Sequence, residues 1–261
     1  MPVAIVRRPG PSLAAGLVTH QERVPVDVEL AQRQWRVYVD ALVSAGWTVV
    51  EVESADDCPD AVFVEDALVV FDDLAVVTRP GAASRRPETG GAEWAARQIG
   101  LDVVHIVEPA TLDGGDVMKI GRTAYVGVGG RTNDAGVSQL ADVLGPSGWT
   151  VVGVPVTKVL HLKSAVTALP DGTVVGHPDV VDDASVFPAF LPVPEPSGAH
   201  VVQIGDHHVL MAADAPRSAA IFRSMGYEVT EVDISEFEKL EGCVTCLSVR
   251  HRAAASDRLG G

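Results

Sequence analysis

Four stretches of the chain repeat one pattern of apolar and polar positions. Residues 46–52 (GWTVVEV), 100–106 (GLDVVHI), 148–154 (GWTVVGV) and 226–232 (GYEVTEV) each open on glycine, continue with a large apolar residue and alternate into a β-branched run. Alternation of period two reads as a half-buried strand. Each stretch follows a segment with helical character, at 28–45, 91–99, 132–144 and 216–225. A glycine just past the last helical turn is a C-terminal stop, because it accepts a positive φ.

Between these copies lie pairs of short apolar runs that read as hairpins: 61–70 with 74–78, 116–120 with 123–128, 164–169 with 173–176, and 201–204 with 207–212. Their connections (Phe71-Asp72-Asp73, Gly121-Arg122, Pro170-Asp171-Gly172, Gly205-Asp206) carry turn chemistry. The unit is strand, strand, helix, strand, with a period of about 50 residues. One gap is longer and holds 187–193 (FPAFLPV) as a degenerate fifth copy. Radial repetition of such a unit predicts five sheet-and-helix blades around one axis, with a cavity where they converge. An open α/β sheet is the competing arrangement. No shift in composition marks a linker, so the whole chain, 1–261, is expected to form one domain.

Composition narrows the function. The protein has 261 residues, 47% hydrophobic and 21% charged, which suits a globular core rather than a disordered chain. No apolar run has the roughly 18 residues of a membrane span, and residues 1–9 do not read as a signal peptide. A cytoplasmic protein is expected. The net charge of −15 argues against nucleic acid as a partner and suits attraction of a cationic small molecule. Three cysteines, Cys58, Cys243 and Cys246, are too few and too odd in number for a disulfide framework.

Cys243 and Cys246 stand C-x-x-C in EGCVTCLSV. The residues around them favour a strand, in which positions three apart face opposite ways. On that reading the pair shares neither a metal nor a disulfide, and a single nucleophilic cysteine remains, in need of a remote histidine. His161, in HLKSAV, opens a predicted strand at a blade end. TLDGGDV places Asp113 and Asp116 around a Gly-Gly turn, one able to orient a histidine and the other to cap or bind. In PDAVFVEDALVV, Asp60, Glu65 and Asp66 interrupt or flank an apolar run, where a carboxylate needs a cation. Arg79, Arg85, Arg86 and Arg131 offer guanidinium forks for a carboxylate. Carboxylates for a cation, arginines for a carboxylate, and Cys, His and Asp for nucleophilic chemistry together suit an amino acid with a cationic side chain.

In this order and at these separations, CPDAVFVEDALVV, TRPGAASRR, TLDGGDV, GRTN, HLKS and EGCVTCLSV closely resemble the dimethylarginine dimethylaminohydrolases of the pentein, or guanidine-group-modifying, superfamily. The resemblance runs over about 12–249. It implies a five-bladed α/β propeller and hydrolysis of Nω-methylated arginine to citrulline and a methylamine, with no metal or organic cofactor. It implies Cys246 as nucleophile, His161 as general acid and base, and Asp113 as the carboxylate supporting it. It further implies Asp66, with Glu65 beside it, on the guanidinium, Asp60 on the α-amino group, Arg85 and Arg131 on the α-carboxylate, and backbone contacts from Val18 on an early lid and from Leu240. Cys243 has no counterpart. Relatives occur as monomers and dimers, so a monomer or homodimer is expected. A deiminase acting on unmethylated arginine and a non-catalytic ribosome-binding pentein are the alternatives.

Overall fold

The computed structural model describes residues 1–252. Its strands form five three-stranded sheets. The first blade holds β1 (Val3–Arg7), α1 (Val28–Ser44) and β2 (Thr48–Val52); the second holds β3 (Leu68–Phe71), β4 (Leu74–Val77), α2 (Thr89–Gln98) and β5 (Asp102–His105). The third consists of β6 (Val117–Ile120), β7 (Thr123–Val128), α3 (Asp134–Leu144) and β8 (Thr150–Pro155). In the fourth, the short α4 (Leu162–Ala165) leads into β9 (Val166–Ala168), β10 (Val174–Gly176) and β11 (Phe190–Pro192). The fifth has β12 (Val201–Gln203), β13 (His208–Ala212), α5 (Pro216–Ser224) and β14 (Glu228–Val232). After α6 (Ser235–Glu238), β15 (Val249–His251) returns to pair with β1 and completes the first sheet.

Every sheet obeys one rule: the middle strand is antiparallel to one neighbour and parallel to the other. The antiparallel neighbour follows from a tight hairpin, or from the chain's return in the first blade; the parallel one needs a crossover, which the helix supplies. In the fourth blade a 3₁₀ turn at Ala184–Val186 replaces that helix, which is why the sequence copy there looks degenerate. The four repeat glycines all have positive φ, 86°, 83°, 76° and 93° at Gly46, Gly100, Gly148 and Gly226. The α1 helix starts where the Asp27 side chain accepts from the Leu30 N–H, and it buries Ala31, Trp35, Tyr38 and Leu42 along one stripe.

The antiparallel strands β15, β3, β6, β9 and β12 face the axis and all contribute to the wall of a 350 Å³ cavity. A short turn precedes four of them: 3₁₀ at Val64–Ala67, Gly114–Asp116 and Pro196–Ala199, and α4 before β9. Three segments read as strands are therefore turns at their starts. Residues 61–67, 164–165 and 243–248 are not extended. Short apolar runs do not distinguish a buried strand from a buried turn, and in 61–67 and 243–248 every side chain is buried, so packing overrides β propensity.

Candidate active site

Those turns lie at one end of the inner strands, and they carry the candidate catalytic side chains. Asp60 and Asp66 precede β3, Asp113 precedes β6, His161 stands at the start of α4 before β9, and Cys246 precedes β15. Neighbouring turns interlock through backbone: the Glu65 N–H donates to the Cys246 carbonyl at 3.2 Å. A Cβ on Gly114 would come within 1.9 Å of the Glu65 carbonyl oxygen.

His161 is buried. Its Nε2 is 3.0 Å from Asp113 Oδ2, and its Nδ1 is 3.8 Å from Asp66 Oδ1. Burial opposes the imidazolium, but Asp66, the bond to Asp113 and the nearby Asp116 outweigh it and push the histidine up to about 9. Asp113 is fixed in turn by the Gly81 N–H at 2.8 Å. Asp116 is pushed up to about 6 by burial, and it accepts from Thr132 Oγ1 at 2.6 Å and from the Leu162 N–H at 2.9 Å. It thus caps α4 and anchors the residue after His161. Burial would raise Asp66 as well, but His161, Arg85 and the Gly115 N–H hold it down at about 2. A Cβ on Gly115 would lie 2.6 Å from Asp66 Oδ1 and 2.7 Å from His161 Nδ1. Gly115→Ala should therefore part the acid from the imidazole and lower kcat by at least roughly 10²-fold with little change in overall fold content, as misplacement by about an ångström does elsewhere; a parent-like kcat alongside a parent-like circular dichroism spectrum refutes the close packing.

A pocket of only 20 Å³ lies at this cluster. Asp60, Asp66, Arg85, Arg131, His161, Leu240 and Cys246 line it, together with Leu17, Phe63, Leu160, Glu241 and Gly242. Three expected residues are elsewhere. Asp113 is fully buried, behind His161. Val18 packs against an apolar cluster, and its neighbour Leu17 is the lid residue at the pocket. Glu65 parts from Asp66: its Oε1 meets Lys163 at 2.6 Å and Arg250 at 3.4 Å, and it lines the larger axial cavity. Adjacent positions in a tight turn point apart, so the two carboxylates serve opposite faces of the same turn.

Arg85 also differs from expectation. It is buried and bonds to Asp66 at 2.5 Å, to Glu88 at 2.8 Å, and to the carbonyls of Asp60 and Phe63. Its donors are committed to the protein, whereas the contact of Arg131 among the described ion pairs is a long 3.7 Å to Asp113. Asp60 is raised by burial against the pull of Arg85, and it accepts the Leu17 N–H at 2.9 Å. A buried carboxylate with so modest a partner suits an incoming ammonium.

The early lid, expected around Val18, is latched by Glu241. Its Oε1 accepts the N–H groups of Thr19, His20 and Gln21, and Gln21 Nε2 donates to the Glu238 carbonyl. Glu241 holds a positive φ of 60°, an uncommon conformation for a residue with a Cβ. No local signal in the sequence pairs residues some two hundred positions apart.

Cys246 and Cys243 are not on opposite faces. The Cys246 N–H donates to the Cys243 carbonyl at 3.1 Å, and this turn brings the two sulfurs within 3.3 Å. The contact with Cys243, burial, and the charges of Glu65 and Asp66 push the Cys246 thiol well up. Asp66, Asp113 and His161 also have donor atoms within 4.8 Å of one another. Their charges are met by Arg85, by backbone N–H groups and by the imidazolium itself, which makes the cluster an ion network complete without a metal.

Five ββαβ-type sheets about an axis, with a cysteine, a histidine and carboxylates at its mouth, define a pentein. A family model described as arginine deiminase matches residues 93–209. The N(G),N(G)-dimethylarginine dimethylaminohydrolase of Streptomyces coelicolor is 63% identical over 95% of this chain and 96% of its own, and that of Pseudomonas aeruginosa is 33% identical over 94% and 98%. A crystal structure of a dimethylarginine dimethylaminohydrolase adduct with S-methyl-L-thiocitrulline superposes with a TM-score of 0.89 at 31% identity, covering 95% of this chain and 99% of that one. The chain belongs to the dimethylarginine dimethylaminohydrolase family.

Proposed function

We infer that the chain hydrolyses Nω-methylated L-arginine to L-citrulline and a methylamine, and that Cys246 and His161 carry the chemistry. The family membership supports the reaction. The observation that carries the residue roles is the convergence of a sulfur, an imidazolium and a strongly acidic carboxylate on one small pocket.

A guanidinium carbon is a weak electrophile because its charge is delocalised. Asp66, ionised down to about pH 2, fixes the plane of the group and polarises it. The arriving cation also lowers the cost of ionising Cys246, which is a thiol in the resting site. The thiol gives its proton to water, since the imidazolium is already protonated, and the thiolate attacks the central carbon. Nε2 of His161 is held by Asp113, so Nδ1 is the nitrogen left for proton transfer. It protonates the departing methylamine, and a covalent thiouronium remains. The imidazole then takes a proton from water, whose attack releases citrulline. Asp60 would take the α-ammonium and Arg131 the α-carboxylate. Arg85 acts first by holding Asp66, and must exchange partners to reach the substrate.

The closed pocket has room for about one water molecule, so the lid over residues 11–25 must open for substrate. We propose a single catalytic domain working in the cytoplasm as a monomer or homodimer; among the described residues no helix is long and apolar enough to cross a membrane.

Acid quench during turnover of monomethyl- or dimethylarginine, followed by mass spectrometry, should find the thiouronium on Cys246. An adduct on another residue, or none under saturating substrate, rejects the assignment. In parallel assays the methylarginines should exceed arginine and agmatine in kcat/KM; faster turnover of arginine would move the chain to deiminase chemistry.

A further inference from the structure

A strand at the C-x-x-C pair, which its residues favour, would separate the two sulfurs; the turn found there joins them. We propose that Cys243 and Cys246 form a reversible intramolecular disulfide under hydroperoxide, and that this bond switches the enzyme off. The loss of activity rests on Cys246 being the nucleophile; the disulfide itself does not.

Four observations support it. The sulfurs are 3.3 Å apart and both thiols are free, so closure to a bond of about 2.05 Å asks for side-chain rotation rather than chain movement. The backbone already closes between the two residues through the Cys246 N–H to Cys243 carbonyl bond, and a turn of this kind keeps its end Cα atoms within about 7 Å, inside the disulfide range. Cys243 is itself prepared for sulfur chemistry: the hydrogen bond from Cys246 and the Thr245 hydroxyl at 3.2 Å hold its thiol well below the usual range despite burial. Access is also selective. Cys246 faces the 20 Å³ pocket and Cys243 does not, so with the lid shut a peroxide, little larger than water, fits where an arginine does not.

The chemistry balances in two steps. The Cys246 sulfur attacks one peroxide oxygen, the O–O bond breaks, and Cys246 sulfenic acid and water result. Cys243 then attacks the Cys246 sulfur, forming the S–S bond and expelling the oxygen as a second water. Two thiols and one hydrogen peroxide give one disulfide and two waters. A small-thiol reductant reverses the step by exchange: it attacks the pocket-facing Cys246 sulfur, the Cys243 thiolate leaves, and a second reductant thiol frees Cys246.

The test treats the purified chain with hydrogen peroxide, then blocks remaining thiols and maps peptides without reduction. The parent protein should lose two hydrogens in mass, show the peptide holding Cys243 and Cys246 protected from alkylation, and lose at least ten-fold in rate, with recovery on adding dithiothreitol. Under prolonged excess peroxide, Cys243→Ser and Cys243→Ala, each compared with its own untreated rate, should instead gain two or three oxygens on Cys246, because no neighbouring thiol traps the sulfenic acid, and fail to recover with dithiothreitol. Cys58→Ser should behave as the parent. Inactivation with both thiols still separately alkylatable, or recovery of both Cys243 variants like the parent, overturns the disulfide. Direct alkylation of Cys246 separates the two readings. If it stops turnover but no disulfide forms, only the switch is lost. If the disulfide forms and activity persists, both the switch and the nucleophile assignment fail.

Discussion

Cys246→Ser should leave a folded protein whose turnover is lower by roughly 10⁴-fold or more, the scale seen when a nucleophile is removed from a residue set that acts as a unit. The reasoning is local. A serine hydroxyl fills nearly the same space in the turn between Cys243 and Ser248, but its proton is far harder to remove than a thiol's, and a guanidinium carbon is too weak an electrophile to compensate. Cys246 is 6% exposed, and serine there loses some apolar packing against its cluster, so the melting temperature should fall by no more than about 5 °C. Stopped assays for citrulline read the first effect and calorimetry the second. A serine variant with parent activity removes the sulfur from the mechanism.

His161→Gln should cost about 10²- to 10⁴-fold in kcat, the usual worth of a positioned acid or base. The variant also tests the electrostatics. In the parent, a histidine raised from about 6.5 to about 9 remains an imidazolium at neutral pH. NMR of labelled histidine should place its titration near 9, and Asp113→Asn should move it down, since an anionic acceptor is lost, and should slow the reaction by disturbing the ring's orientation. The sign for stability follows from linkage. A group whose folded pKa is raised contributes fully below its unfolded pKa, and that contribution disappears as pH climbs through the folded value. The parent should therefore lose stability between about pH 6.5 and 9 relative to His161→Gln. An NMR titration near 6.5, or equal pH dependence in the two proteins, contradicts the ion network drawn around Asp66 and Asp113.

The Cys246 reading and the redox reading depend on the same turn, and they show where sequence reasoning reached its limit. The residues around Val244 are strand formers, yet the segment is buried throughout and its backbone bonds to Cys243 and to Glu65 rather than to a sheet neighbour. A turn also stands where a strand is expected at 61–67, which is buried throughout, and at 164–165, where Ser164 is half-buried. In each case the turn carries or adjoins a residue of the small pocket: Asp66, His161 or Cys246.

The chain's own order of residues determined the blade repeat, the helix stops at Gly46, Gly100, Gly148 and Gly226, and the degenerate fourth blade, and it singled out a cysteine, a histidine and two aspartates, Asp60 and Asp66, that the fold brings to one pocket. These are legible because periodicity and turn chemistry act over a few residues, and because the motifs are short and contiguous. Only the tertiary structure decided that Glu65 turns to Lys163 while Asp66 turns to His161, that Arg85 is held inside by Asp66 and Glu88, that Glu241 latches the lid, and that two sulfurs touch. Most of those facts join blades or loops distant in sequence, and the direction of a buried charge is set by which countercharge the folded neighbours supply. The cysteine contact, though only three residues long, depends equally on long-range packing, because that packing selected a turn where local propensity favoured a strand.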